Sequence, residues 1–390
     1  MKIICVSTSP RYNKIDRDRI ELLMKYDDVI EAVYEIGYEG KISNSQGLLI
    51  AAAWGAFREG AEVEFIYPGG EVPEFDGALM SSPVYFGDRS SHLHDFIRNT
   101  NLKDKAVGIV SSGAKRNGGQ ETTNIYALYD CLNKGALITG NGPPTAQYGG
   151  TGWAGNKTAI VNDDFGIKTS MGTGRQLAKL TNMISLPESK NKPTILFLVV
   201  NHGKFKFPYE YFKNCNIDIV DITDKHIRRC AACPVCPNGD LEKEFTCLLT
   251  NDDLPEIHKH IVKSDCVIYV SNINDAPVDM YQIFMERSRF IRRNHFEWSE
   301  RVYSSISNTD SITDIFPIRV MTSMLRHNMF GLPFFRSYKN FKNINIETYV
   351  SLVEKYIRKS MSMRKLSKVD FEYTPVGYED AKRDEKAYRD

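Results

Sequence analysis

The chain has 390 residues, more than a single hydrophobic core ordinarily organises, which predicts two domains. Apolar residues at 42%, charged residues at 25% and a net charge of +1 describe a globular protein without an overall field for nucleic acid or an anionic membrane. The opening run MKIICVSTSP is too short for a signal-peptide core, no apolar stretch reaches membrane-spanning length, and eight cysteines without a leader do not indicate a disulfide scaffold, so the expected location is the cytoplasm.

Short apolar runs and amphipathic stretches alternate through the first half. The expected strands are 2–7, 61–67, 77–81, 106–111 and 136–139, and the expected helices 45–59, 90–99, 121–134 and 173–183. This βαβα order predicts a parallel sheet covered on both faces. A polar linker, SLPESKNKP, follows at 185–193, and the pattern restarts. Strands are expected at 194–201, 218–222, 266–271 and 318–322, and helices at 253–263, 280–293 and 346–359. The fold class read from this is α/β, with two tandem doubly wound parallel sheets: a domain over 1–184 with an insertion at 12–40, and a second over 194–360. A charged tail, 361–390, closes the chain.

Ligands of open parallel sheets bind beyond the carboxyl ends of the strands, so those loops hold the candidate residues. After the third strand come Ser82, Pro83, Val84, Tyr85, Phe86 and Gly87: a proline and a glycine bracket two aromatics that can cover a flat ring. After the fourth comes SSGAKRNGGQETT, with Ser112, Gly113, Arg116, Gly118, Gly119 and Gln120, where glycines allow close approach and positive φ. After the fifth come Tyr148, Gly149 and Gly150, followed by Thr151, Gly152 and Trp153. One glycine-rich loop is as often a plain turn as a site; three in order on one sheet form a joint signal.

SSPVYFG, SSGAKRNGGQETT and YGGTGW resemble the flavin-binding loops of the flavodoxin-like quinone reductases and NAD(P)H-dependent FMN reductases, over residues 43–174. The resemblance implies that Pro83, Val84, Tyr85, Phe86 and Gly87 contact the isoalloxazine ring of FMN. Ser112, Gly113, Gly118, Gly119, Gln120, Tyr148, Gly149 and Gly150 would surround its other edges. It also implies NAD(P)H as co-substrate. The family's phosphate loop joins its first strand directly to a helix, using the N–H groups of the helix N-terminus. Here Ser7 and Ser9 end the strand, whereas Ser43, Asn44 and Ser45 arrive only after the insertion; both pieces are expected to line the phosphate, with the insertion over that end as a lid. Ser43 read by itself is equally an N-cap.

In the second half Cys230, Cys233, Cys236 and Cys247 form C-x2-C-x2-C-x10-C. Four thiolates suit an iron–sulfur cluster and also satisfy tetrahedral zinc. The capped helix and strand that follow resemble the order in the iron–sulfur flavoproteins, which implies a 4Fe–4S cluster; the long last spacing departs from their pattern and puts Cys247 in question. Structural or reactive thiols with no cluster remain the third alternative. The second half lacks the flavin loops, having SNINDAP and MLRHNMFGLPFF in their places.

His92 and His94 are read as surface or flavin-flanking residues, His258 and His260 as solvated, and the basic run 287–301 as a solvated helix face in preference to a site for an anionic partner or NADPH phosphates. Tyr85, Arg116 and Tyr148 are the candidates for shaping the acceptor side of the site. The expected activity is electron transfer from NAD(P)H through FMN to a quinone-like or other small-molecule acceptor, with a redox partner protein the alternative should the chain be a non-enzymatic carrier. The expected assembly is a homo-oligomer or a pseudo-dimer within the chain.

Overall fold

The structure is a computed structural model that describes residues 1–38, 42–143, 145–155, 159–203, 207, 209–233, 245, 247–272, 279–293, 297–308, 314–338 and 341–366. The chain divides into two compact units. The first comprises 1–142, 146–186 and 330–333, and the second 143–145, 187–329 and 334–390. No helix among the described residues is long and apolar enough to cross a membrane.

The first unit runs β1 (Lys2–Ser7), α1 (Arg17–Met24), α2 (Val29–Tyr38), α3 (Asn44–Arg58), β2 (Glu62–Ile66), β3 (Gly77–Pro83), α4 (Ser91–Asn99), β4 (Ala106–Gly113), α5 (Gln120–Asn133), β5 (Leu137–Ile138), β6 (Gly150–Trp153) and α6 (Asp164–Ser185). Its strands lie in the order β2-β1-β3-β4-β5, all parallel, with β2 at the edge and the strand order reversing at β1. All eight residues of β4 are buried, as expected of a strand covered on both faces. Helix α3 is buried without a break from Ser45 to Ala56. It lies so close to α6 that a Cβ on Gly174 would strike the Ala52 carbonyl, and small residues at this crossing are what let the two backbones meet. The insertion meets α3 at both ends: Asn13 and Gln46 exchange hydrogen bonds in the first turn, and at the far end Trp54 Nε1 donates to Tyr26 O at 3.0 Å and Arg58 donates to the Asp27 carboxylate at 3.2 Å. Strand β6, expected as loop, pairs parallel with β4.

The second unit contains β7 (Thr194–Asn201), β8 (Asn216–Asp221), α7 (Leu254–Lys263), β9 (Cys266–Ser271), α8 (Asp279–Arg287), α9 (Arg289–Arg293), β10 (Val302–Asn308) and α10 (Phe316–Leu325). After these come β11 (Phe330–Gly331), which belongs to the first unit and pairs antiparallel with β5, then β12 (Phe335–Tyr338), β13 (Phe341–Lys342) and α11 (Ile346–Leu366). The strands of this unit follow β8-β7-β9-β10-β12, parallel, with β13 antiparallel at the end. The molecule is therefore α/β and mostly parallel, with mixed pairing. Two sequence expectations fail here. Residues 318–322 are helix, not strand: Pro317 in the first turn and the periodic burial of Phe316, Val320, Met321 and Met324 make them the core face of α10. The strand that was missed is β10, whose serine-rich VYSSISN hides six buried residues. The Tyr349 hydroxyl, 3.0 Å from Ser304 Oγ, ties α11 to it. Helix α11 continues through Leu366, past the expected start of the tail at 361, and the rest of that tail lies outside the described residues.

Candidate functional site

Strand register brings the candidate residues of the first unit to one edge. Ser7 is level with Ser81, Ser82 with Ser111, Pro83 with Ser112, and Ser112 with Gly152. The β1 loop is pinned there by residues the sequence reading passed over. Thr8 donates its hydroxyl to Ser81 O at 2.5 Å, Ser90 donates its own to Thr8 O at 3.1 Å, and Ser90 N donates to Ser82 Oγ at 2.9 Å. Ser90 is also the N-cap of α4, the one signal that could have found it. Ser9 is spent locally, accepting from Arg11 N at 3.2 Å. Ser7 Oγ is different: it is buried and has no hydrogen-bond partner. Ser43 caps α3 and its hydroxyl is 3.3 Å from that of Ser45, while Asn44 accepts from Ile160 N at 3.4 Å. Gln46 meets the insertion, donating to Asn13 O at 2.6 Å.

The aromatic loop is a two-residue hairpin. Tyr85 N donates to Asp88 O at 2.8 Å and Asp88 N to Tyr85 O at 2.9 Å, with Phe86 at φ 52° and Gly87 at φ 81°. Positive φ at both central residues is the type I′ turn, which holds Phe86 fully exposed and Tyr85 half-exposed at its tip. Against this hairpin lies the glycine loop. A Cβ on Gly119 would stand 2.8 Å from Gly87 Cα and 3.2 Å from Val84 Cγ1, and Gly119 itself has φ 98°. No side chain fits between the two loops. Gln120 is buried and its amide is fully engaged: it donates to Lys115 O at 2.6 Å and Gly152 O at 3.0 Å and accepts from Gly118 N at 2.8 Å. It braces the loop and leaves nothing for a ligand. A Cβ on Gly113 would meet that amide at 2.8 Å.

Arg116 is held as well. It is ion-paired with buried Asp163, donates to Thr151 O at 3.4 Å and lies over the Phe165 ring. Asp163 caps α6 through Gly166 N at 3.1 Å and accepts from Trp153 N at 2.6 Å, so one unpredicted carboxylate joins three of the loops. Tyr148 is half-buried, whereas Gly149 and Gly150 are tucked against the Ile109 carbonyl and Ser170, where a Cβ would clash. The loops thus offer an orphaned buried hydroxyl at Ser7, the N-terminus of α3, and two exposed aromatics on a hairpin packed against a glycine loop. This donor set fits a ligand with an anionic end and a flat ring.

In the second unit Cys236 lies outside the described residues. Cys230, Cys233 and Cys247 are half-buried, and no group of three His, Cys, Asp or Glu among the described residues is placed to hold a metal. What the structure does define is the neck of this segment. His226 N donates to Asp253 Oδ2 at 2.8 Å, Arg228 N to Asp252 Oδ2 at 3.0 Å, and Arg228 to Asn251 Oδ1 at 2.8 Å. Arg287, buried with Asp252, pairs with it at 2.6 Å and donates to Arg228 O and Leu249 O at 2.8 and 2.7 Å. Burial pushes the Asp252 carboxyl up, but hydrogen bonds from Arg287, Arg228 N and Leu254 N outweigh it and hold the group below its ordinary range. Among the described residues of the run 287–301, Arg287 and Arg301 are therefore not on a solvated face. Arg287 closes the neck, and buried Arg301 caps α7 through Ser264 O at 2.7 Å and Ile261 O at 3.1 Å. His258 is buried too, against the Phe245 and Phe290 rings, because it sits on the inward stripe of α7 with Leu254, Ile257 and Ile261.

No family model matches the chain. Among proteins of known name, it is 36% identical over 121 residues to an iron–sulfur flavoprotein of Methanocaldococcus jannaschii, covering 29% of this chain and 63% of that protein. It is 23% identical over 121 residues to an NAD(P)H dehydrogenase (quinone) of Archaeoglobus fulgidus, again 29% of this chain and 63% of the relative. A flavone reductase structure aligns over 47% of this chain and 63% of its own, at 18% identity and a TM-score of 0.30. The chain spans less than two thirds of the length of the relatives it matches. Over that 29% of its length the chain is similar to the iron–sulfur flavoproteins and to the flavodoxin-like NAD(P)H-dependent quinone reductases, as its loops led one to expect.

Proposed function

We propose that the chain consists of two flavodoxin-like units, the first of which binds FMN, and that it is an oxidoreductase moving electrons from NAD(P)H to a quinone-like or other small-molecule acceptor. The observation that carries this reading is the convergence, at one sheet edge, of the orphaned Ser7 hydroxyl with the hairpin and glycine loops, which touch each other across a space that admits no side chain. The name of the quinone-reducing relative supports the activity. Ser7, Ser43, Ser45 and the first-turn N–H groups of α3 hold the phosphate. Pro83 to Gly87, with Gly118 and Gly119, lie against the ring, and Tyr85 and Tyr148 border the acceptor. Arg116 we assign to holding its loop through Asp163 and not to the chemistry. Bound FMN supplies the exchange between two-electron and one-electron chemistry; the chain orients it and shields it from water.

Purified protein should carry about one FMN per chain after reconstitution, a single-site stoichiometry. It should oxidise NADH or NADPH in the presence of a benzoquinone. Protein that stays colourless after reconstitution and washing overturns the assignment of the first unit. Flavin-loaded protein that NAD(P)H leaves oxidised overturns the activity and points to a carrier.

A further inference from the structure

Arg89, the residue that follows the aromatic hairpin, has a side chain shared among three acceptors while only 9% of it is exposed. Its guanidinium donates through Nη1 to Asp88 Oδ1 at 3.1 Å and through Nη2 to His94 Nδ1 on α4, also at 3.1 Å. Nη2 donates as well to the carboxylate of Asp130 on α5, with which Arg89 is ion-paired. A guanidinium can only donate, so His94 Nδ1 is the acceptor of its bond. Arg89 N also donates to Asp88 Oδ1, at 2.7 Å. Asp88 is the closing residue of the hairpin, exchanging both backbone bonds with Tyr85. One arginine thus links the end of the hairpin to each of the two helices that follow it.

On the reading of the first unit as FMN-binding, we propose that Arg89 is the positioning residue of the aromatic hairpin: clamped to Asp130 and His94, it sets the direction in which Tyr85 and Phe86 face the flavin and its acceptor.

A two-residue hairpin has little of its own with which to keep a direction, since an isolated hairpin is marginal in water. Here the tip adds no burial, with Phe86 fully exposed and Tyr85 half-exposed. The direction has to come from what the hairpin is fastened to. An exposed ion pair would contribute little, because two long side chains must be ordered for one attraction. Arg89 is ordered once, largely out of solvent, and serves three acceptors with a planar fork that restricts where each can lie. A lysine has a single head and cannot reproduce that geometry. The far anchor is firm: Asp130 belongs to α5, whose Ala127, Leu128, Cys131 and Leu132 are buried. Arg89 therefore refers the exposed aromatics to the core of their own unit.

Amide hydrogen exchange of the full-length apoprotein reads the clamp without any flavin. Asp130→Ala removes the far partner and leaves every residue of the hairpin in place. In it the Tyr85 and Asp88 amides should exchange about tenfold faster, while the amides of β4 keep their wild-type rates. Arg89→Gln should do the same and Arg89→Lys should fall between; should Arg89→Gln not fold, Asp130→Ala carries the test. Arg58→Gln, which breaks the ion pair with Asp27, should change neither set of amides. In FMN-loaded protein, Asp130→Ala and Arg89→Gln should raise the apparent KM for a benzoquinone about fivefold and alter the visible circular dichroism of the flavin. Hairpin amides at wild-type rates in both variants overturn the proposal. So does exchange quickened equally in β4, which would make the cluster a general support of the unit. Quickened hairpin exchange with KM and flavin circular dichroism unchanged overturns the positioning of the aromatics toward the flavin. Wild type that takes up no FMN is a separate result: it overturns the reading of the first unit, and the apoprotein exchange rates still decide whether Arg89 clamps the hairpin.

Discussion

The loops beyond β3 and β4 in the first unit and the cysteine segment between β8 and α7 in the second are fixed in opposite ways. In the first unit the loops are bound to one another along their length: hairpin against glycine loop, Gln120 bracing from beneath, Asp163 joining Arg116, Trp153 and the start of α6. In the second unit the hydrogen bonds of the described residues gather at the neck, where 226–228 meet 251–253 and Arg287 closes the ends. A cradle tied along its length presents a preformed shape, and a ligand gains affinity because little remains to be ordered. Among the described residues of the second segment, polar bonding is concentrated at its base, and Phe245 packs against His258 and Phe290.

The neck is where this comparison breaks most violently. Arg287→Met leaves the buried Asp252 carboxylate without its partner and should destabilise the second unit by about 3–5 kcal/mol in urea unfolding. Pairing it with Asp252→Leu should recover much of that loss, since two apolar groups replace two buried charges. A smaller loss in the double variant is thus the diagnostic, and equal losses would mean the ion pair is not what closes the segment. Acid should act on the same bond. Asp252 has its folded value depressed below about 3.8, so its contribution is present above the unfolded value and is lost as pH falls through the depressed one. Wild type should therefore lose stability below about pH 4 more steeply than the double variant, with the two curves parallel above about pH 5.

In the first unit the corresponding test is Gly119→Val. The backbone there is left-handed and the new side chain would push against Gly87 and Val84, a combined cost of about 2–3 kcal/mol. FMN affinity should fall at least about tenfold, read by fluorescence titration of the apoprotein. Ser7→Ala discriminates more finely. Its hydroxyl has no partner in the protein, so removal should leave the melting temperature of apoprotein unchanged or slightly raised, while FMN binding weakens by about 1 kcal/mol. A drop in apoprotein stability would mean that Ser7 is bonded within the fold.

These regions were not equally legible in sequence. The glycine and aromatic loops announce themselves because backbone geometry demands particular residues there: Gly119 at φ 98°, and a Phe–Gly pair carrying two positive φ values. What such motifs do not disclose is the use of polar side chains across long sequence separations. Thr8, Ser90 and Asp163 are the bonds that assemble the edge, and each acts on a residue that no local pattern links to it. Conversely Gln120 and Arg116, attractive as loop residues, are consumed by those same bonds. In the second unit the basic run around Arg287 reads as surface because charge is ordinarily solvated; only the tertiary partner, Asp252, explains its burial. Strand β10 was missed for a related reason: its serines carry little hydrophobic signal, and α10, which follows it, has enough apolar residues to be taken for the strand.

The smallest expected effect on stability is at Phe86, and it bears most directly on what the cradle is for. A phenylalanine wholly in solvent at the tip of a tight turn contributes no burial, so Phe86→Ala should change unfolding free energy by no more than about 0.5 kcal/mol. It should even gain slightly if the replacement tolerates φ 52° as well, and Phe86→Gly, which relieves that strain outright, should be the more stable of the two. An exposed aromatic held in a costly backbone conformation makes sense when something flat is to be covered. Both variants should therefore raise the apparent KM for a quinone acceptor severalfold while melting like wild type, whereas Tyr126→Ala, an exposed aromatic on α5, should change neither. If Phe86→Gly instead lowers stability and leaves KM alone, the hairpin is an ordinary turn and the acceptor approaches from elsewhere.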